Sequence, residues 1–433
     1  MLPDCRITAD PYLIPKFDIK VDDFDAIVDE LKGFHKEFYD CFTRTEPREN
    51  FFNYMVGQLS PLERKSIEPI ALHIENAKVR AMQFFVSDAL WDDDKILSKY
   101  RSMVNDDMGD PDGVLIFDES GIVKKGNESA GVAKQYCGNI GKVENCQVGV
   151  FVGYATRHGY CLLGARLYIP EIWFSDDYAE RRKRCRFPAN LTFKTKPQIA
   201  AEMLEEIARF GKIPFRYVAA DSVYGNNPVF RNAVEAIPNV TYLASMPGNT
   251  QCWLRRPVTE TKLYKHGKEQ KSKLVLKPSE KESITFEEYA KSLNPFFWYR
   301  RKVSEGSKGP IEYEFTKRQI VLARDGLPKE NVWLIIRRTL GNNPIYSYYI
   351  SNAMGSTRLK VFVWLSGIRW AIEQCFEEAK TELGMDHYEV RKWPGWIHHM
   401  MTCMLAHFFL WHIKIRLGKK NTSCYSVPTP SFA

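Results

Sequence analysis

The sequence predicts an α/β protein: a mixed sheet with flanking helices, an N-terminal helical domain before it, and a β-rich insertion ahead of the last helices. Three observations predict this. The first hundred residues carry helical periodicity alone. Between residues 114 and 246, short apolar strands are joined first by turns and then by helices. From 247 to about 350 the alternation stops, and strand-like segments follow one another.

In chain order, residues 1–110 form the helical domain. Asp25-Ala-Ile-Val-Asp-Glu-Leu-Lys32 has helical spacing, and Ser60-Pro-Leu-Glu63 has the form of a capping box with proline at the first helical position. Ile67, Ile70, Ala71 and Ile74 continue at spacings of three and four, so one buried helix face is expected within 61–79. Asp106-Asp-Met-Gly-Asp-Pro-Asp-Gly113 is turn chemistry and closes the domain.

Residues 111–246 are the first part of the core. Val114-Leu-Ile-Phe117 is expected as a short strand ending in Asp118, and 146–154 and 160–168 as two strands around Thr156-Arg-His-Gly159. A helix over 196–210, a strand over 217–220 ending in Asp221, a helix opened by Asn227-Pro228 and a strand over 240–245 follow. Strand–helix–strand alternation implies parallel pairing after an antiparallel start. Residues 247–350 form the insertion, with strands expected at 272–277, 297–303, 311–322, 332–339 and 345–350. Helices at 356–383 and 396–417 complete the core within 351–417, and 418–433 is a polar, frayed tail.

Composition narrows the function. With 44% apolar and 26% charged residues the chain is neither disordered nor fibrous. The net charge of +8 is uneven: residues 1–100 hold 13 basic and 19 acidic residues, net −6, which leaves +14 on 101–433. That part suits a polyanionic partner. Ten cysteines include no CxxC pair, which excludes a zinc ribbon and a thioredoxin-like motif. With no secretory N-terminus, they point to a reducing cytoplasm. His398, His399, His407, His412 and Lys414 interrupt the last apolar stretch, so it is expected as a buried helix and not a membrane span. The spacing of those histidines does not converge on one face, so they are expected in the core or on the surface rather than on a metal. Lys142 in Gly138-Asn-Ile-Gly-Lys142 lacks P-loop spacing, and no nucleotide cofactor is expected.

Three acidic residues could carry chemistry. Asp118 and Asp221 each stand at the end of an expected strand, the edge where open α/β sheets bind ligands. Two carboxylates there suit a hard divalent cation, although each alone reads first as turn chemistry. On the expected helix at 356–383, Ile368, Ile372, Cys375, Ala379 and Leu383 make an apolar stripe. Arg369, Glu373 and Lys380 follow one residue behind, roughly 100° around the helix. A carboxylate flanked by two cations suits a phosphodiester site, and equally an ordinary salt-bridged face.

Together these segments resemble the DDE transposases of bacterial insertion sequences, which carry Asp, Asp and Glu on a ribonuclease-H-like core. Asp118-Glu-Ser-Gly-Ile-Val-Lys-Lys-Gly126 resembles that family's first-aspartate loop, and Gly131-Val-Ala-Lys-Gln-Tyr136 and Gly141-Lys-Val-Glu-Asn-Cys-Gln-Val-Gly149 its following segments. Ala220-Asp-Ser-Val-Tyr-Gly225 is similar to the second-aspartate motif, and Arg369-x3-Glu373-x6-Lys380 to the last three positions of the YREK signature. Tyr388-Glu-Val-Arg-Lys-Trp393 also resembles that branch, so the likeness covers roughly residues 112–412. The signature's tyrosine falls on Ser366, a departure that touches a DNA contact and not the carboxylates.

The resemblance implies Mg2+, with Mn2+ as substitute, held by Asp118, Asp221 and Glu373, with Arg369 and Lys380 on phosphates. It implies cleavage at the ends of an element and strand transfer into target DNA. The partners would be double-stranded DNA, as terminal inverted repeats and target, and a second copy of the chain on paired ends. The location would be the bacterial cytoplasm, on the nucleoid. A descendant that binds DNA without cutting usually loses a carboxylate, and none is lost here; a structure-specific nuclease on the same core is the other alternative.

Two further signals concern DNA. Arg181-Arg-Lys-Arg184 lies in the densest basic run, which suits either a phosphate-tracking loop or a solvated one. Residues 251–302 hold 13 basic and 6 acidic residues among aromatics. In similar transposases an insertion-domain tryptophan can hold a flipped base, a role that would fall to Trp298; packing the small domain's core is the other reading. The N-terminal domain corresponds in position to an end-recognition domain, and 61–79, with Arg64, Lys65 and Lys78, is its expected recognition helix.

Overall fold

The structure is a computed structural model that describes residues 21–266, 269–306 and 309–420. The tail expected over 418–433 lies mostly outside the described residues. The chain forms two compact units, Met1–Arg216 with Arg369–Ala433, and Tyr217–Ile368.

Among the described residues the first unit begins with five α-helices: α1 (Val21–Lys36), α2 (Thr45–Leu59), α3 (Ile67–His73), α4 (Val79–Ser87) and α5 (Asp93–Met108). The single helix expected over 61–79 is not formed, and Ser60 caps nothing downstream. Its hydroxyl donates to the Val56 carbonyl at 2.8 Å and its N–H to Gly57, so it closes α2 instead. Residues 61–66 are drawn into irregular backbone by Lys65, whose buried ammonium donates to the carbonyls of Gln58 and Glu382. Helix α3 then buries Ile67, Ile70 and Ala71, the face the spacing called for. It lies close on α2, because a Cβ at Gly57 would come within 2.2 Å of the Ile70 side chain.

The strands follow: β1 (Val114–Val123), β2 (Ala133–Cys137), β3 (Lys142–Thr156) and β4 (Gly159–Tyr168). β3 pairs antiparallel with β1, from Val114↔Ala155 to Val123↔Cys146, and with β4, from Val148↔Tyr168 to Thr156↔Gly159. β2 pairs with the first residues of β3. After the short α6 (Ala179–Arg184), helix α7 (Lys196–Phe210) begins at a capping box of Thr195 and Gln198 and ends at Gly211, whose φ of 68° is left-handed.

In the second unit β5 (Tyr217–Ala220) leads into the one-turn α8 (Ser222–Gly225) and α9 (Pro228–Glu235), and β6 (Thr241–Met246) returns parallel to β5. The antiparallel strands β1, β3 and β4, with the short β2 added on β3, then α7, β5, two helices and the parallel β6 follow the order of a ribonuclease-H-like core, so the α/β class read from the sequence holds. Next come β7 (Gln251–Trp253), β8 (Thr259–His266), β9 (Glu269–Leu276), β10 (Ile284–Thr285) and α10 (Phe286–Ser292). They precede β11 (Tyr299–Gly306), β12 (Gly309–Arg324), β13 (Leu327–Arg338), β14 (Tyr346–Ser351) and α11 (Leu359–Ile368). β8 and β9 form a separate two-stranded ribbon. The long strands continue the sheet of β6, since Ile350 of β14 pairs with Ala244, β13 with β14 and β12 with β13.

The chain returns to the first unit with α12 (Trp370–Leu383) and α13 (Trp393–Lys420). The helix expected over 356–383 is therefore two helices, interrupted at Arg369 alone. α13 is the axis of its unit's core and packs on α2, α4, α5, α12 and β4. Its histidines fill that core and hold no common ligand. His398 Nδ1 donates to the Val86 carbonyl (2.7 Å) and the ring stacks on Trp91, His399 meets Tyr54 Oη (2.8 Å), and His407 meets Glu378 (2.8 Å). His412 lies at its edge on Asp107 (2.6 Å). Among the described residues no helix is long and apolar enough to cross a membrane. The eight described cysteines are free and buried.

Candidate active site

Asp118 does not end its strand. β1 continues five residues past it, because the partner β3 is long enough to bond the whole segment and holds Asp118 opposite Phe151. Residues before it are buried, and the charged pair Asp118-Glu119 lies where the strand becomes half-exposed. Successive side chains of a strand point to opposite faces, so the two carboxylates part. Glu119 turns to the Lys196 ammonium at the start of α7, 2.8 Å away. Asp118 turns to Arg369, with Arg369 Nη1 3.3 Å from its Oδ2, while its Oδ1 accepts the Glu119 N–H at 2.8 Å.

Arg369 holds Glu373 as well. Its Nη2 donates to Glu373 Oε1 at 3.1 Å, the i to i+4 contact that the sequence spacing offered. One guanidinium thus bridges the carboxylates of β1 and α12, residues 251 and 4 positions away in sequence. The Arg369 side chain is 29% exposed, that of Asp118 15% and that of Glu373 50%, so the cluster lies at the surface of the unit and open to solvent.

The last turn of α12 sits differently. Lys380 shares the Arg369 face but lies eleven residues on, roughly 16 Å along the axis. It is half-buried beside the Phe376 ring, and burial lowers its pKa. Lys380 and Arg369 are therefore too far apart along the helix to meet at one group.

Asp221 follows the wholly buried β5 in the second unit and caps α8. Its Oδ1 accepts the N–H groups of Val223 (2.9 Å) and Tyr224 (3.3 Å), so it fulfils the turn role as well as standing at a strand end. Gly225 lets α8 lie on β6, since a Cβ there would be 2.6 Å from the Ser245 carbonyl oxygen. Ser366, at the place of the signature's tyrosine, is buried with its hydroxyl on the Val363 carbonyl (2.7 Å). Among the described residues no three His, Cys, Asp or Glu side chains are gathered closely enough to hold a metal ion.

The remaining expected site residues divide. Arg182 is structural, with its Nη1 donating to the carbonyls of Trp173 and Ser175. Arg181 and Arg184 both meet Glu128, at 3.6 and 2.9 Å. Lys183 is exposed. Trp298 is only 7% exposed and Arg338 lies 4.0 Å over its ring, so its faces are covered, as the packing reading had it. Phe296, two residues earlier, is 89% exposed.

The sequence passed over one contact set that holds the first-aspartate loop. Lys124 donates to the Tyr388 carbonyl at 2.9 Å, with its ammonium 3.5 Å over the Tyr388 ring, and burial lowers its pKa to about 8. Tyr388 Oη in turn donates to Gln147 of β3 at 2.7 Å. Both ends of this clasp fall in segments that the resemblance picked out, which was the available signal.

Comparison with known proteins identifies the family of the chain. The family model described as "DDE superfamily endonuclease" matches residues 37–310, more than half of the chain, and the chain belongs to that family. The match contains Asp118 and Asp221 and ends before Glu373. The chain is also 24% identical, over 349 residues, to the "Probable transposase for insertion sequence element IS701" of Microchaete diplosiphon, covering 79% of this chain and 77% of that one. Among solved structures it resembles the piggyBac transposase synaptic complex with hairpin DNA, determined by cryo-EM. That likeness has a TM-score of 0.43 and 11% identity, over 98% of this chain and 79% of that one. The DDE nucleases generally use divalent metal ions, and the protein is an enzyme of that class.

Proposed function

We infer that the protein is the transposase of an insertion sequence, cutting double-stranded DNA at the ends of its element and joining those ends to target DNA. The observation that carries this reading is the convergence of Asp118 and Glu373 on one guanidinium, in a chain of the DDE endonuclease family.

The proposed catalytic and metal-binding residues are Asp118, Asp221 and Glu373. All three offer carboxylate oxygens, the donors that suit a hard divalent cation, and two of them already share a cationic group. Mg2+, or Mn2+ in its place, fits that donor set. Bound there, such ions would supply Lewis-acid activation of the attacking oxygen and neutralise charge on the leaving one. Arg369 presents a planar fork suited to a phosphodiester, and Lys380 a point charge farther along the same helix face. Lys183, exposed in the basic run, would track a backbone, and the exposed Phe296 would offer a better stacking surface than Trp298. The helical N-terminal domain, residues 1–110, would read the terminal repeats. Two copies would act on paired ends in the bacterial cytoplasm.

The test uses purified protein and a plasmid carrying its gene with native flanking DNA. Cuts at defined flanking positions that need Mg2+ or Mn2+ are expected. Asp118→Asn, Asp221→Asn and Glu373→Gln should each lower cleavage by about a thousandfold, equivalent to about 4 kcal/mol, with flank binding nearly unchanged. Full cleavage by any of the three would remove that residue from the site. Tight flank binding without cuts under either metal would overturn the enzymatic reading.

A further inference from the structure

Arg369 meets both carboxylates of the first unit at once, which the proposed phosphate role alone does not require. Its Nη1 lies 3.3 Å from Asp118 Oδ2 and its Nη2 3.1 Å from Glu373 Oε1. Arginine stays charged at every relevant pH, so the guanidinium neutralises two anions that would otherwise repel each other. It engages oxygens that a divalent ion would take at much shorter distance. A dication between the two carboxylates and a guanidinium on the same oxygens repel each other at close range. The side chain starts at the single non-helical residue between α11 and α12 and is partly exposed, so it has somewhere to go.

We propose that Arg369 is a displaceable stand-in for the metal: it bridges Asp118 and Glu373 in the metal-free protein and swings onto a DNA phosphate when a divalent ion takes the carboxylates. The idea rests on the assignment of Asp118 and Glu373 as metal ligands. Its consequence is reciprocal coupling. A phosphate that draws off the guanidinium uncovers the carboxylates and tightens metal binding; metal that expels the guanidinium offers the phosphate a free fork. The site would thus load fully only on DNA, which keeps the resting protein from holding a complete nuclease centre. Arg369 is a positioning residue for the metal and a contact residue for DNA.

The experiment titrates Mn2+ into full-length protein and reads the free-ion electron paramagnetic resonance signal, with and without a duplex from the gene's flank. For wild type, the duplex should tighten Mn2+ binding by about tenfold. Arg369→Gln should bind Mn2+ about tenfold more tightly than wild type without DNA, and the duplex should then add less than about twofold. A merely structural role predicts the opposite sign, weaker Mn2+ binding. Arg369→Lys keeps the charge but cannot bridge two carboxylates, so it too should bind Mn2+ more tightly without DNA; general charge repulsion would leave it like wild type. Mn2+ affinity in Arg369→Lys equal to or below wild type overturns the proposal, and so does unchanged DNA coupling in Arg369→Gln. Asp118→Asn and Glu373→Gln test the assignment beneath it: if Mn2+ affinity survives both, the ligand set is wrong, whatever Arg369 does.

Discussion

His399 shows how burial fixes a residue's chemistry. It is fully enclosed, hydrogen-bonded to Tyr54 Oη and near the Met385 carbonyl, and desolvation lowers its pKa to about 3. The unfolded chain takes up that proton near pH 6.5, the folded one only near pH 3. The stability that the neutral imidazole supports is therefore complete above about pH 6.5 and is lost as pH falls toward 3. The slope is at most about 1.4 kcal/mol per pH unit. His399→Gln removes the titration while keeping a hydrogen-bonding side chain. Its melting temperature should fall less than that of wild type between pH 6.5 and 4.5, and parallel pH curves would refute this account. At this scale the sequence was informative about type and silent about partner. It offered Arg369 and Glu373 as neighbours on one helix turn, but the third member of that contact lies 251 residues away.

At the scale of elements, local pattern succeeded where an element makes its own boundary. α7 occupies 196–210 as expected because a capping box starts it and a left-handed glycine stops it. β5 ends where expected because Asp221 caps the next turn. Pattern failed where a neighbour sets the boundary. β1 runs beyond Asp118 because β3 pairs with it, and 61–66 is not helical because Ser60 and Lys65 are engaged elsewhere. β2 and α10 went unseen, being short and lacking strong periodicity. The placement of Asp221 depends on α8 lying against β6, which only a glycine allows at 225. Gly225→Ala would force α8 off the sheet, and about 1–3 kcal/mol of stability should be lost to overpacking. A urea midpoint unchanged from wild type would show that α8 yields freely.

For the whole molecule, charge is the property most legible beforehand. The excess of +14 outside the first hundred residues is an electrostatic footprint, yet the fold spends some of those charges internally. Arg182 holds two carbonyls and Arg181 and Arg184 share Glu128, whereas Lys183 is exposed. The variants should separate accordingly. Lys183→Ala should leave stability unchanged and reduce the slope of log affinity for DNA against log salt by about 1. Arg182→Ala should cost about 1–3 kcal/mol by leaving two carbonyls without their donor. Salt-dependent binding measured beside thermal melting distinguishes them, and an unchanged slope for Lys183→Ala would exclude it from the DNA path.

The sequence by itself determined the α/β class, the strand–helix order and the basic bias, because periodicity, capping and composition are local and survive without contacts. Only the tertiary structure decided that Asp118 lies within a ten-residue strand, that Arg369 bridges it to Glu373, that Trp298 is covered, and that β12, β13 and β14 continue the sheet of β6. Each of these depends on what a distant segment supplies: a hydrogen-bonding edge, a countercharge or a covering side chain. No spacing within a segment records such partners.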